Sequence, residues 1–550
     1  MPAHPENTHT GGGPRPPRGW PLAVLLVLYI LPGLFGHDPW KADDATAFGV
    51  AYDMLVRDSW LTPSIAGQTY PHAPLYFWIT AASGKLFSWL LPLHDAVRLS
   101  SALFTLLILG FTHLAARALH GREYAVAAPL ILTGSFGFLV HAHQVQPMLL
   151  TLAAHFAAYW ALALLDRRPL QAGAIFGAAL GFGLLGNGLA SMALLLPVGA
   201  FAFIISENKR KTGPALLGSL LLASALALLW LLPLAQQAPQ YLAAWWKFEL
   251  DQLGQPQQPL KTALEYLDLL PWYAWPALPL AGWTLWSRRR LLRTPALALP
   301  LFSFFAILSG LCLTYEARSV SALLLLPPLV LLAIPGLPSL RRGAANAFDW
   351  FGMMSFTFLA ALIWTGWCAM IFGWPERLAQ QVVRLEPGFS GSFSALPFIL
   401  ALLVTAAWGW LIVTSPRSPF RGMTHWVAGV TLFWVLTVAL WLPWVDYGKT
   451  YRPLSASLAK ALPATHGCIA GAGLADALRA SFDYFSGIVT VSGDSTAARR
   501  CHWLLTQGTV RADENAPGKG WHKVWEGNRP GDRSEKIRLY RRNAQGASVN

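Results

Sequence analysis

Long apolar runs, set off by short polar connections, occupy most of the chain between Trp20 and Trp444. A helix that crosses a bilayer needs about 20 predominantly apolar residues. On that measure about thirteen spans are predicted. They lie near 20–36, 97–117, 124–141, 147–165, 171–187, 189–206, 214–235, 270–286, 294–313, 320–337, 350–373, 394–414 and 425–444. The fifth and sixth abut, with Gly188 alone between them. Residues 1–19 are polar and rich in glycine and proline, and are expected to form a disordered cytoplasmic tail. The run from Trp20 to Gly36 follows Arg15 and Arg18 in the manner of a signal peptide. It lacks a small-residue cleavage pattern and precedes many further spans, so it is read as a retained first helix.

Two regions break this pattern. Within the loop 37–96, Ala45–Val56 has helical spacing, with Phe48, Tyr52 and Leu55 on one face. Pro71–Trp89 is apolar and tryptophan-rich but starts among prolines. Both are expected to be helices lying in the membrane interface. The second region begins near residue 446. Short strands are predicted at Cys468–Ala472, Ile488–Ser492, His502–Gln507 and Lys536–Tyr540, with a helix over Leu474–Tyr484. The expectation is a small soluble α/β domain over 446–550, after a membrane domain over 20–445. The tail contains no nucleotide-phosphate loop.

Charge settles the orientation expected of these spans. Charged residues make up 12% of the chain and hydrophobic ones 54%, about half the charged share of a soluble domain. The net charge of +14 does not point to nucleic acid, because the cations sit in short clusters between apolar runs. With the N-terminus taken as cytoplasmic, the clusters around Arg117, Arg167, Lys209, Arg288, Arg341 and Arg421 all fall on the cytoplasmic side. This is the positive-inside rule. The loops bearing Asp43, Asp44, His72, His143, Gln146, Glu249 and Arg318 then lie on the opposite face with the C-terminal domain, which is the periplasmic face if the membrane is a bacterial inner membrane. There Cys468 and Cys501 are a disulfide candidate. Cys312 and Cys368 lie in apolar runs and read as packing residues.

Asp43 and Asp44 stand just past the first span. Carboxylates there can act as a general base, orient an acceptor or hold a cation. They can equally open the helix that follows. Glu249, in Trp245-Trp246-Lys247-Phe248-Glu249, joins an acid to aromatics, as carbohydrate sites do and as interfacial tryptophan belts also do. His141 and His143, with His72, have the donor type of a metal site but only imidazole count to support one. No metal and no cofactor are expected.

An ordered set of short motifs sharpens this. Ala42-Asp43-Asp44 is followed by Ala51-Tyr52-Asp53-Met54-Leu55, Trp60-Leu61-Thr62-Pro63, His72-Ala73-Pro74-Leu75-Tyr76-Phe77-Trp78 and Arg98-Leu99-Ser100-Ser101-Ala102-Leu103. This order and spacing resembles the aminoarabinose lipid A transferases and the related protein O-mannosyltransferase-like membrane glycosyltransferases. It is strongest over 37–110. The resemblance implies the GT-C fold, with about thirteen spans and a soluble outer domain. It implies an enzyme that moves a sugar, with inversion, from a polyprenyl-phosphate carrier to an envelope glycolipid such as lipid A, another glycan or a protein. It makes Asp43 the catalytic carboxylate, with Asp44 beside it. His72, Tyr76, His143, Gln146 and Asn187, which stand in or beside its motifs, join Glu249 and Arg318 as the expected substrate-binding residues.

Three positions depart from the family pattern. His72 replaces a lysine that the resemblance implies for the carrier phosphate. Gln146 replaces an acidic residue of the next outer loop. Asn187-Gly188 replaces a Lys-Gly pair. Arg318, in Tyr315-Glu316-Ala317-Arg318, is the cation available to compensate. A transporter or lipid flippase, or a family member without catalysis, are the alternatives. A transporter calls for charges within spans and internal repeats, and the spans carry few charges.

Overall fold

The computed structural model describes residues 19–254, 258–314, 318–416, 418–493 and 495–543. The predicted tail over 1–19 lies outside them except for Gly19, as do Tyr315, Glu316 and Ala317. The fold is an α-helical membrane bundle with a small mixed sheet domain at its C-terminal end.

Every predicted span contains helix. The first is α1 (Trp20–Ile30), which is followed by the two helices of the long loop, α2 (Asp43–Val56) and α3 (Leu75–Phe87). Then come α4 (Leu93–His120), α5 (Ala127–Thr133), α6 (Phe136–His141), α7 (Met148–Leu164), α8 (Pro169–Ile205) and α9 (Lys209–Gln237). Next are α10 (Pro239–Gly254), α11 (Pro259–Tyr273), α12 (Ala277–Ser287), α13 (Pro295–Thr314) and α14 (Leu326–Ala333). The bundle closes with α15 (Arg342–Phe372), α16 (Glu376–Leu385), α17 (Ala395–Thr414), α18 (Arg421–Leu436) and α19 (Leu442–Lys449). Among the described residues, seven helices are long and apolar enough to cross a membrane unaided. The other predicted spans are shorter or broken. The span near 124–141 is α5 and α6, interrupted where Ser135 is extended. The two abutting spans form one assigned helix, α8, interrupted where Asn187 (φ −143°) and Gly188 (φ 68°) leave helical geometry. The span near 270–286 straddles α11 and α12, and α11 starts well inside the predicted outer loop.

The first helix of the long loop differs from its reading as a surface helix. Helix α2 is enclosed on most sides: Ala45, Phe48, Val50, Ala51, Asp53 and Met54 are all buried. It packs against the C-terminal domain so closely that a Cβ on Gly49 would meet the Cβ of Ala480 at 2.4 Å. Its amphipathic spacing reflects burial between two bodies of protein rather than contact with lipid. Between α2 and α3 a two-stranded hairpin, β1 (Ser64–Ile65) with β2 (Gln68–Thr69), turns at Ala66-Gly67. Its dipeptide strands are too short for a period-2 signal.

The C-terminal domain holds a helix α20 (Arg452–Ala461), then β3 (Ile469–Ala472), α21 (Asp476–Ser486), β4 (Thr490–Ser492), β5 (Trp503–Thr509), β6 (Trp521–Gly527) and β7 (Glu535–Arg542). The sheet order is β4-β3-β5-β7-β6, parallel among the first three strands and antiparallel after them. Ile469, Leu505, Ile537 and Leu539 bury one sheet face against Leu454, Leu458, Leu478 and Phe482 of α20 and α21. Strand β6 was not anticipated, because its exposed Lys523 and Glu526 mask the alternation of an edge strand. Cys468 and Cys501 are joined in a disulfide that ties the residue before β3 to a position two residues before β5.

Ion pairs lock this domain to the first loop. Arg57 grips Asp483 with two hydrogen bonds of 2.7 and 2.9 Å and also pairs with Asp53. Asp53, fully buried, accepts Ser64 Oγ at 2.8 Å and the Gly67 amide at 2.9 Å, so it pins the hairpin. Asp38 accepts Thr450 Oγ1 at 2.7 Å and Arg452 Nε at 2.8 Å. Burial raises the Asp38 pKa, and these donors outweigh that and hold it below its ordinary value. Lys41 reaches Glu535 at 2.8 Å.

Candidate functional site

A cavity of about 390 Å³ lies where α2, the segment after the hairpin, the α6–α7 connection, the break in α8 and α10 converge. Asp43 lines it from the first turn of α2. Gln146 lies beside it, its Nε2 3.4 Å from Asp43 Oδ2. His72, Asn187, Glu249 and Arg318 line the same space. Six of the predicted residues, drawn from six separate stretches of sequence, therefore meet in one place.

The other predicted residues lie elsewhere. Asp44 is buried beneath Asp43, and both of its oxygens are committed. Oδ1 accepts the Val145 amide at 2.7 Å and Oδ2 accepts the Trp40 amide at 2.9 Å, with Arg98 Nη2 at 3.5 Å. It anchors the loop, and a catalytic role for it is set aside. Tyr76 is wholly buried beside Phe77 and Phe104. His143 is enclosed too, with its ring nitrogens 2.7 Å from the Leu139 carbonyl and 2.6 Å from that of Tyr29 and its ring on Trp434. Neither lines the cavity. No cluster of three or more His, Cys, Asp or Glu able to hold a metal occurs among the described residues.

Aromatic packing fixes His72. Its ring stacks on Tyr70 at 3.8 Å between centroids and leans on Phe248 at 4.4 Å. Tyr241 donates its hydroxyl to the Tyr70 carbonyl at 2.6 Å and sits 3.2 Å from that of His72. Burial pushes the His72 pKa down to about 3, so the imidazole is neutral at physiological pH and serves as a dipole rather than a cation. Its Nδ1 has no hydrogen-bond partner among the described residues.

Glu249 has a specific place. The break in α8 exposes the start of a new helical segment at Leu189, and Glu249 Oε2 accepts the Leu189 amide at 2.7 Å. A carboxylate there satisfies an orphan donor and complements the helix dipole. Gly188 makes room for it: a Cβ there would lie 1.9 Å from Glu249 Oε1. Burial lifts the Glu249 pKa to about 7, against which the Leu189 amide pulls it down.

Arg98 escaped the sequence reading although its motif was visible. Fully buried, it bonds Asp95 at 3.0 Å and faces the carbonyls of Leu34, His37 and Asp38. It gathers the chain that presents Asp43. Tyr70, Tyr241 and Phe248 were missed for a different reason. Aromatic residues near a membrane surface carry little individual signal.

The family model described as dolichyl-phosphate-mannose-protein mannosyltransferase matches residues 71–235. An undecaprenyl phosphate-alpha-4-amino-4-deoxy-L-arabinose arabinosyl transferase of Pseudomonas savastanoi pv. phaseolicola is 27% identical over 437 residues, covering 76% of each chain. The enzyme of the same name from Yersinia enterocolitica is 27% identical over 451 residues, 77% of this chain and 76% of its own. The crystal structure of ArnT from Cupriavidus metallidurans bound to undecaprenyl phosphate superposes with a TM-score of 0.66, covering 96% of this chain and 98% of that one at 16% identity. The chain is a membrane glycosyltransferase of the GT-C fold. The apo form of the same Cupriavidus protein gives a TM-score of 0.65. The shared fold runs through 96% of this chain.

Proposed function

We propose that the chain transfers a sugar from a polyprenyl-phosphate carrier to an envelope glycolipid of the lipid A type, on the periplasmic face of a bacterial inner membrane. The convergence of Asp43, Gln146, His72, Asn187, Glu249 and Arg318 on one cavity carries this reading. The relatives named for 4-amino-4-deoxy-L-arabinose on undecaprenyl phosphate suggest a donor sugar of that class.

In this mechanism the acceptor hydroxyl sits against Asp43, which orients it and takes its proton as the new glycosidic bond forms at the anomeric carbon. The bond from that carbon to the carrier phosphate breaks, and the carrier leaves as polyprenyl phosphate. A single displacement inverts the anomeric centre. The ring passes through an oxocarbenium-like state, which a nearby carboxylate stabilises. The leaving phosphate faces Arg318, with the neutral donors His72 and Asn187 completing its shell in place of the family's lysines. No cofactor is required, because the phosphate is already an activated leaving group. The basic clusters of the connections on the other side support this orientation by the positive-inside rule.

Mass spectrometry of lipid-linked sugars and lipid A from cells with and without the protein tests the reading. Loss of the protein should deplete a sugar-modified glycolipid and accumulate its polyprenyl-linked donor. An unchanged glycolipid and donor profile would exclude it.

A further inference from the structure

The C-terminal sheet carries a second cavity, which the transfer reaction above does not use. The chain builds β3 first, then β4 on one side of it, then β5 on the other. In open α/β sheets such a reversal leaves a crevice beyond the carboxyl ends of the strands, and ligands bind there. Here a cavity of about 540 Å³ adjoins those ends, a size suited to a small ligand. Gly471 and Gly473 line it as the chain leaves β3, and Ser492 and Gly493 as it leaves β4.

Two polar atoms in residues lining the cavity are buried and lack a hydrogen-bond partner among the described residues. They are Oγ1 of Thr490, a residue only 3% exposed, and Nε of Arg479. Buried polar atoms are nearly always paired, so both point to a ligand. The first loop supplies one wall. Gln68 of β2 lines the cavity and donates to the Thr490 carbonyl at 2.7 Å, while Arg479 donates to the Ile65 carbonyl of β1 at 2.9 Å. Three residues past Thr69 at the end of this hairpin the chain reaches His72, in the membrane-side cavity.

The remaining lining fixes the ligand class. Amides of Gln68 and Asn515 and the Ser492 hydroxyl match sugar hydroxyls, and Trp521 offers an aromatic plane. Arg479 and the exposed Arg499 suit a phosphate. We propose that this cavity binds a phosphorylated sugar, and that the sugar is part of the acceptor glycolipid, held here while its reacting end lies near Asp43. The second half rests on the transferase reading; the first does not.

The experiment is calorimetric titration of the full-length protein in lipid nanodiscs with glucosamine 1-phosphate, glucosamine and inorganic phosphate. Glucosamine 1-phosphate should bind, with glucosamine and phosphate each at least about tenfold weaker, as expected when a charged or hydroxyl-bonding contact is lost. Arg499→Glu and Trp521→Ala should each weaken it by about tenfold. Arg499 is exposed and Trp521 is half-buried on the edge strand under Arg542, and unchanged thermal unfolding will establish that the variants fold. Asp43→Asn should bind normally, which separates this site from the transfer reaction. Absence of binding, equal binding of inorganic phosphate, full affinity in both cavity variants, or loss of binding in Asp43→Asn would each overturn the proposal. Normal binding in a protein that transfers no sugar would leave this site standing and remove the transferase reading.

Discussion

Glu249 Oε2 accepts the backbone amide of Leu189, 2.7 Å away, where the long helix α8 breaks. The contact joins helix α10 to the break in α8 and orders one side of the cavity. Burial raises the Glu249 pKa from 4.5 to about 7, so the fold binds this proton more tightly than the unfolded chain does. The resulting stabilisation is complete below about pH 4.5 and is lost as the pH rises through about 7. Thermal unfolding of Glu249→Gln should therefore vary less with pH over that window than unfolding of the parent. A parallel pH dependence in both proteins would contradict the assignment.

Adjacent aspartates should behave as opposites. Asp43 is exposed and makes one long contact with Gln146, so Asp43→Asn should leave the unfolding temperature unchanged. Asp44 is 2% exposed and shares the pocket of Arg98. Its replacement by alanine strands two amides and part of a buried guanidinium, at a cost of about 3 kcal/mol. Differential scanning fluorimetry of the two variants in detergent distinguishes these outcomes.

The C-terminal domain is held to the first loop through Arg57 and Asp483. Arg57→Ala removes a bidentate pair and leaves Asp53 and Asp483 without their cation. Hydrogen exchange is expected to speed up across residues 64–69 and in α21, while α4 and α8 keep their protection. Sugar transfer should fall as well, because the same hairpin leads into the cavity that holds His72.

The Cys468–Cys501 disulfide spans a sequence separation of 33 residues. Closing a loop of that size stabilises a domain by about 4 kcal/mol. Under reducing conditions the C-terminal sheet should become sensitive to protease at lower temperature, with cleavage confined to residues beyond about 450. The bundle fragment should remain intact.

Much of this was legible in sequence because the membrane imposes a strong one-dimensional signal. Twenty-residue apolar runs can be located without knowing what they pack against, whereas breaks within them depend on single residues. Asn187-Gly188 showed where a boundary fell but gave no sign that Glu249 would fill the gap. Asp43 was identified through its ordered neighbours. Asp44, Tyr76 and His143 share those neighbours yet turn inward, because which side of a turn faces a cavity depends on long-range contacts such as Asp44 with Val145. The hairpin, β6 and the anchoring role of Arg98 are set by contacts between segments far apart in the chain. No local pattern encodes them.

The central claim is that Asp43 carries sugar transfer in this cavity. The direct test reconstitutes purified protein with a radiolabelled undecaprenyl-phosphate-linked 4-amino-4-deoxy-L-arabinose and lipid A, and follows label into the glycolipid. The parent should transfer label, and Asp43→Asn, equally folded, should be slower by at least about a hundredfold, as expected on loss of a general base. Equal rates in the two proteins would contradict the account.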